Sequence, residues 1–258
     1  MKEFKRMCRT LLGTIVALVL LPAAARLQTV DEIIAKNIQA HGGMEKMSAV
    51  HSRIQTAKFS AGSFKADIRT VTKRPDEVRE EFILQGMTQI RAYDGKTGWQ
   101  FDPFEGRREA ELLAEDDMKD LVVDSDIDGP LVNYKQKGHK AEFLGQDSVE
   151  GTDCYKVKLT LKDGDLRTYY FDTDSYLELK LETQTFVRGA PHESESYYGD
   201  YDPVSGIYYP FAIEQGQKGS PDRVRLTVEK IELNPPVDDA LFKMPAANAQ
   251  TGPSSGSK

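Results

Sequence analysis

The chain has 258 residues, of which 29% are charged, and its formal net charge at pH 7 is −7. This acidic balance excludes nucleic acid and makes an anionic membrane surface a poor docking partner, because both attract Lys and Arg rather than carboxylates. The two cysteines, Cys8 and Cys154, are too few for a disulfide framework, so the stability of the fold depends on an apolar core.

The N-terminus has the pattern of a secretory signal peptide. Basic residues within 2–9 precede an apolar stretch at 11–21, and the small residues that signal peptidase requires end at Ala25. The apolar stretch is shorter than the roughly 20 residues that a membrane helix needs, so we expect cleavage after Ala25. Loss of residues 1–25 changes the net charge to −10 and leaves Cys154 as the remaining cysteine. We expect a soluble, monomeric periplasmic protein.

Two helices are predicted at the start of the mature chain. Thr29 and Glu32 form a capping box, apolar residues follow at helical spacing, and Gly42 and Gly43 end the first helix. A second, short helix is predicted over residues 44–50.

From Arg53 onward, apolar residues alternate with polar ones, which is the period of a β-strand. Turn signals such as Asp94-Gly95 and Asp163-Gly164 separate the alternating segments. The pattern predicts an antiparallel meander of about ten or eleven strands. One segment, 109–123, interrupts it and predicts an amphipathic helix with an acidic outer face.

These elements describe one mainly β domain over residues 26–245, followed by a disordered tail over 246–258. A single sheet of this size must curl or be covered, because its apolar face cannot remain in water. The predicted helices are the available cover. They leave either a cavity between sheet and lid or a core filled by side chains, and periodicity alone does not choose between them.

No group of residues predicts catalysis, a metal site or a cofactor. The four histidines are scattered without zinc-site spacing, and Gly252-Pro253-Ser254-Ser255-Gly256 matches the nucleophile-elbow string only inside the expected tail. The acidic turn 124–129 imitates half of an EF-hand loop, but Lys135 occupies the position of the bidentate Glu, which favours a solvated turn without tight calcium binding. Glu193 and Glu195 are expected on an exposed strand face rather than as a glycosidase pair. The sequence predicts a protein that is not an enzyme.

Several short motifs occur together between residues 29 and 245. They include Lys73-Arg74-Pro75, Gln85-Gly86-Met87-Thr88, Tyr93-Asp94-Gly95-Lys96-Thr97-Gly98-Trp99, Asp128-Gly129-Pro130-Leu131-Val132 and Asp238-Asp239-Ala240-Leu241-Phe242. In this combination the chain resembles the outer-membrane lipoprotein-sorting proteins, which are relatives of the LolA and LolB carriers.

This resemblance implies an unclosed, strongly curved antiparallel sheet with lid helices and an apolar cavity for acyl chains. It also implies a non-catalytic carrier that moves a lipoprotein or another lipid toward the outer membrane, between an inner-membrane transporter and an outer-membrane acceptor. The residues we assign to the lipid are Phe82, Leu84, Ile90, Trp99 and Phe101 on the sheet, with Ile34, Ile38, Leu112, Leu113 and Leu121 on the lid.

A second interpretation is a periplasmic lipid or envelope-stress sensor, an interaction module of the same fold. The chain has only a short tail after Pro245, and the residue directly after Ala25 is not the Cys that would carry the lipid of a LolB-type receptor, so the sequence favours the carrier. If Trp99 lines an apolar cavity, its emission should respond to cargo, and Trp99→Asp should weaken binding more than folding.

Overall fold

The structure is a computed structural model that describes residues 28–246. The expected signal peptide and all but the first residue of the expected tail lie outside these residues. Within them, no helix is long and apolar enough to cross a membrane.

The described residues form three α-helices: α1 (Val30–Ala40), α2 (Met44–Ser48) and α3 (Lys119–Ser125). The predicted capping box opens α1, where the Glu32 amide donates to Thr29 Oγ1 at 3.2 Å and the Thr29 amide donates to Glu32 Oε2 at 2.9 Å. The helix ends before Gly42, whose φ of +121° and close approach to the Gly206 carbonyl leave no room for a Cβ.

Thirteen strands make up most of the remaining described chain. Their bounds are β1 (Ser52–Ala61), β2 (Phe64–Lys73), β3 (Glu77–Leu84), β4 (Met87–Tyr93), β5 (Gly98–Phe101), β6 (Glu111–Leu112), β7 (Lys140–Val149), β8 (Thr152–Thr160), β9 (Leu166–Asp172), β10 (Glu178–Val187), β11 (Ala190–Val204), β12 (Ile207–Gln217) and β13 (Val224–Leu233).

All of these strands belong to one sheet, with the order β6-β5-β4-β3-β2-β1-β13-β12-β11-β10-β9-β8-β7. Every neighbouring pair is antiparallel, and β6 and β7 are the two edges, so the sheet is not closed. The prediction of a single unclosed antiparallel sheet with lid helices is confirmed, with more strands than the periodicity indicated.

The predicted helix over 109–123 is wrong for most of its length. Residues Glu111–Leu112 form the edge strand β6 beside β5, and the amide of Leu113 continues the ladder by donating to the Gly98 carbonyl at 2.9 Å. A single turn of 3₁₀ helix at Asp116–Met118 leads into α3, which begins only at Lys119. Pairing with β5 satisfies backbone groups that a helix would otherwise satisfy, so the leucine spacing alone was misleading.

One face of the sheet, here called the inner face, carries the helices. Under α1, the core combines Ile33 and Ile34 with Val157, Leu159 and Phe171 from β8 and β9. Helix α3 packs against β2, β3 and β4 further along the same face. The lid therefore consists of separate short pieces rather than a continuous layer.

The opposite, outer face holds a second, smaller core around Trp99. Ala92 is paired with Trp99 and Ile90 with Phe101, so these side chains project from one face. Glu80 and Arg91 are also paired and occupy the alternate positions, on the inner face.

The chain's C-terminal part covers this outer core. The Trp99 indole Nε1 donates to the Phe242 carbonyl at 2.7 Å, and Arg79 Nη1 donates to the Leu241 carbonyl at 3.0 Å. Trp99 is 2% exposed and Phe242 is fully buried. The indole is thus held by a backbone bond inside a packed core.

A buried charge network occupies another part of the outer face. Glu195, expected on an exposed strand face, is 4% exposed because the Lys180 ammonium lies 2.9 Å away and Arg223 lies beside it. Lys180 also bridges to Glu182 at 2.9 Å. These ion pairs explain how a carboxylate on this strand is buried.

Phe242→Ala should lower the free energy of unfolding by about 3–5 kcal/mol, because it removes a large side chain from a fully buried site. Chemical denaturation followed by Trp99 emission measures this loss. Leu112→Ala is the control, since Leu112 is largely exposed and should change stability by less than about 0.5 kcal/mol. Equal denaturation midpoints for the two variants would contradict the packing described here.

Candidate functional site

A cavity of about 830 Å³ lies between the inner face and the lid. Pockets that hold small organic ligands commonly measure about 300–1,000 Å³. The sheet contributes Arg53, Arg91 and Arg167, while Ile38 of α1 and Val123 of α3 line the lid side. Charged and apolar side chains thus line one cavity.

An ion pair joins α1 to the sheet at the cavity wall. His41 Nε2 lies 2.7 Å from Glu178 Oε2, and His41 Nδ1 lies 2.7 Å from the Tyr208 carbonyl oxygen. Burial opposes a charge on His41, but the Glu178 carboxylate outweighs it and raises the pKa of His41. Burial alone would raise the pKa of Glu178, yet His41 and the Asn37 amide hold that pKa below its usual range. The charges of His41 and Glu178 therefore compensate each other.

Arg74, at the loop that follows β2, ties the sheet to two pieces of the lid. Its guanidinium makes a bidentate pair with Asp128, with distances of 2.6 Å from Nη1 and 2.5 Å from Nη2. The same side chain donates from Nε to the Val50 carbonyl at 2.6 Å and from Nη2 to the Met47 carbonyl at 3.2 Å. One arginine thus holds the end of α2 and the loop after α3.

Asp124, on α3, faces the cavity without a hydrogen bond or ion pair to any residue within 28–246. Its side chain is exposed to the solvent of the cavity, although many protein atoms lie around it. Burial raises the pKa of Asp124 to about 7, and the nearby carboxylates of Glu80 and Asp120 add to the rise. Arg167 and Arg91 oppose it from a greater distance than an ion pair. This carboxylate is the least compensated charge of the cavity.

Arg53, on β1, is a cation of the cavity wall that forms no ion pair with the described part of the chain. Its guanidinium lies over the Tyr209 ring, 5.7 Å from the centroid. The Nε atom is buried and has no hydrogen-bond partner. An unsatisfied buried donor costs about 1–3 kcal/mol or more when it is charged. The Arg53 guanidinium thus lines the cavity beside Tyr209 and has no counter-charge in the described chain.

A cluster of four phenylalanines, the phenylalanine cluster, lies beside the cavity on the inner face. Phe82 follows Glu80 by two residues on β3 and therefore shares its face. Its ring lies 5.5 Å from that of Phe59, and the cluster is completed by Phe64, which is 42% exposed, and Phe104, which is 39% exposed. Aromatic surface is thus left open next to the charged cavity.

No protein-family model and no curated protein matches this sequence. Among solved structures, a LolA superfamily protein from Nitrosomonas europaea superposes with a TM-score of 0.57 at 14% identity, covering 83% of this chain and 97% of that one. The fold is LolA-like. A putative outer membrane lipoprotein-sorting protein domain from Vibrio parahaemolyticus gives 0.55 at 12% identity over 82% and 94% of the two chains. A DUF1329 family protein from Desulfovibrio piger gives 0.55 at 12% identity over 84% and 98%.

In the LolA-like fold, the ten residues assigned to lipid do not lie together: some are on the inner face, some on the outer face and some on the lid. Phe82 and Leu84 alternate with outer-face positions of β3 and lie on the inner face. Ile90, Trp99 and Phe101 project from the outer face, away from the cavity.

Among the five lid residues, Ile38 lines the cavity and Ile34 is buried in the core below α1. Leu121 is fully buried under α3, Leu112 is 64% exposed on β6, and Leu113 lies against Gly98. Lipid binding by these ten residues stays a prediction.

Sequence reasoning missed the charged residues of the cavity. The turn after α3 was expected to be solvated, yet Asp126 is paired with Lys137 and Asp128 with Arg74. Asp120 and Asp124 are four residues apart and so share one face of α3, a spacing visible in the sequence. Nothing in the sequence places Arg53 near them.

The first prediction from this site is a stability gain for Asp124→Asn at alkaline pH. The folded-state pKa is raised, so the unfolded state ionises first and the wild type loses stability as pH rises from about 4 to 7. The variant should unfold at higher denaturant concentration at pH 8, by about 1 kcal/mol, because solvent in the cavity screens part of the charge. The gain should shrink toward pH 5. A variant that is less stable than wild type at pH 8 would contradict an uncompensated Asp124.

The second prediction concerns Arg74→Leu, which removes the tie between sheet and lid. It should cost about 2 kcal/mol and speed amide hydrogen exchange in α2 and in residues 126–132 more than in the strands. Arg225→Leu is the matched control, because Arg225 pairs with Glu214 on an exposed site, where solvent screens the pair and its loss changes stability little. Uniform exchange across lid and sheet in the Arg74 variant would show that this side chain does not hold the lid.

Proposed function

We propose that this protein is a non-catalytic periplasmic carrier that binds the acyl chains of a lipoprotein or another lipid and moves it toward the outer membrane. The observation that carries the proposal is the cavity under short lid helices, bordered by the open phenylalanine cluster. Its similarity in fold to a lipoprotein-sorting domain supports the same choice.

Acyl chains have a suitable surface beside the cavity. The phenylalanine cluster continues across the inner face into Ile68 and Phe211, which pack on Ala57 and Val228. These side chains are only partly covered in the described chain, so an acyl chain would remove both its own apolar surface and theirs from water. Exposed contiguous apolar surface of this kind marks a binding region in soluble proteins.

The energetics suit transient binding. An acyl chain of roughly 16 carbons contributes on the order of 12 kcal/mol when fully removed from water, at about 0.8 kcal/mol per methylene. A cavity that is open on one side covers only part of the acyl chain, so the free energy of binding is smaller than this. A carrier needs that intermediate strength, because it must extract the lipid from one membrane and release it to another.

The lid supplies a way to change that strength. Arg74 holds α2 and the loop after α3 closed, so loss of its contacts would widen the cavity without disturbing the strands. Cargo that binds the open form better shifts the lid toward it by its differential affinity. An inner-membrane transporter as donor and an outer-membrane acceptor are the partners that this role requires.

The proposal is tested by a pair of identical substitutions on opposite faces. Phe82→Asp places a charge in the phenylalanine cluster and should reduce binding of a fluorescent long-chain fatty acid at least tenfold, the effect of about 1.4 kcal/mol. Phe186→Asp is the control: Phe186 alternates with the inner-face residue Thr185 on β10 and is exposed on the outer face. Circular dichroism and melting temperature establish that both variants fold.

Lipid extraction from the purified native protein, followed by mass spectrometry, identifies the cargo. A co-purified acyl lipid in wild type and its loss in Phe82→Asp are the expected results. A wild type that neither co-purifies with lipid nor binds any acyl probe would refute the carrier and favour an interaction module.

A further inference from the structure

Two opposite charges in the cavity form no ion pair within residues 28–246. Arg53 projects from the sheet wall with a buried, unpaired Nε, and Asp124 projects from α3 on the lid side. Both side chains line the same cavity. The other charged side chains of the cavity form ion pairs that involve neither Arg53 nor Asp124.

Those other charges are already compensated. Glu178 is paired with His41, Asp128 with Arg74, and Asp126 with Lys137.

Near α3, Arg167 lies 3.6 Å from Asp120, and Arg91 lies 3.6 Å from Glu80. With these pairs set aside, one cation and one anion of the cavity are left over.

We propose that the cavity binds the headgroup of a zwitterionic amphiphile, with its phosphodiester at Arg53 and its primary ammonium at Asp124. The inference rests on the proposed function, because it names the class of lipid that the carrier accepts. The acyl chain of the same molecule lies on the phenylalanine cluster.

The chemistry of each side chain suits its half of the headgroup. A guanidinium presents forked donors that match two phosphate oxygens, and no carboxylate of the described chain pairs with Arg53. An ammonium group donates hydrogen bonds to a carboxylate and favours its ionised form, which reverses the effect of burial on the pKa of Asp124. The phosphate and the ammonium of one headgroup thus supply counter-charges to both Arg53 and Asp124.

Simpler ligands leave one of these charges unsatisfied. An anionic lipid without an amine would bring a further negative charge to a cavity where Asp124 has no ion-paired cation, and a cationic amphiphile would leave Arg53 without a counter-charge. A metal ion is disfavoured too, since the part of the chain that the structure describes has no group of three His, Cys, Asp or Glu side chains that could hold one. The zwitterion fits both observations.

The test compares three ligands with the same single acyl chain. Lysophosphatidylethanolamine carries the phosphodiester and the ammonium, lysophosphatidylglycerol carries the phosphodiester alone, and monoacylglycerol carries neither. Displacement of a fluorescent fatty acid, measured below the micelle concentration of each lipid, gives their relative affinities. We expect wild type to prefer the ethanolamine lipid over the glycerol phospholipid by about tenfold, the size of one charge-assisted hydrogen bond.

Two isosteric variants assign the contacts. Asp124→Asn should remove the preference between the two phospholipids, whereas Arg53→Gln should weaken both of them about equally and leave monoacylglycerol unchanged. Asp174→Asn and Arg225→Gln are matched controls on exposed sites outside the cavity, and they should keep the wild-type order.

The outcomes separate this inference from the carrier role. Tight binding of all three lipids with equal affinity in wild type overturns the headgroup site and leaves the carrier intact. Binding of none of them, and of no acyl probe, overturns both. Because the comparison of ligands is made on wild-type protein, it decides the question even where a variant fails to fold. A preference that survives Asp124→Asn also contradicts the assignment.

Discussion

The curvature of one very large sheet governs everything else in this molecule. Strands twist with a fixed hand, so a sheet of thirteen antiparallel strands curls strongly rather than extending flat. Curling brings strands that are distant in the order, such as β4 and β9, to opposite sides of a common hollow, where Arg91 and Arg167 line one cavity. Three short helices cannot fill that hollow, so a cavity is a consequence of the strand number.

Charge compensation then decides what the hollow can hold. A lipid-binding cavity lined only by aliphatic groups would recognise acyl chains and ignore headgroups. Here ion pairs such as His41–Glu178 hold lid to sheet, and the same wall keeps Arg53 without a counter-charge. The cost of such groups to the free energy of folding is offset by the apolar core under α1 and by the outer core around Trp99.

The sequence predicted the elements that depend on local patterns. The capping box at Thr29 and Glu32 and the alternation of the strands are local, and both are present in the structure. The helix predicted over 109–123 was wrong because Glu111 pairs with Gln100 of β5, a tertiary interaction that sequence periodicity does not show.

The site was less predictable for a related reason. Alternation shows that Phe82 and Trp99 belong to regular strands, but only the strand register shows that they project from opposite faces. The charged cavity residues come from β1, β4, β9 and α3, which are far apart in the chain, so no single motif could contain them. Arg53 on β1 and Asp124 on α3, with strands β2 to β6 between them in the chain, line the same cavity because the sheet is curved.

The order of strands has a consequence for how the polypeptide is made. The first strand, β1, pairs with the last, β13, along residues 53–60 and 225–233, and this pairing alone joins the two halves of the sheet. A chain synthesised or threaded through a membrane from its N-terminus therefore carries β1 as a bare edge, and Trp99 uncovered, until Phe242 has emerged. Such intermediates invite aggregation, and their lifetime is set by the slow closure of contacts distant in sequence. Shielding of the nascent edge by a chaperone is accordingly a requirement that this topology places on the cell.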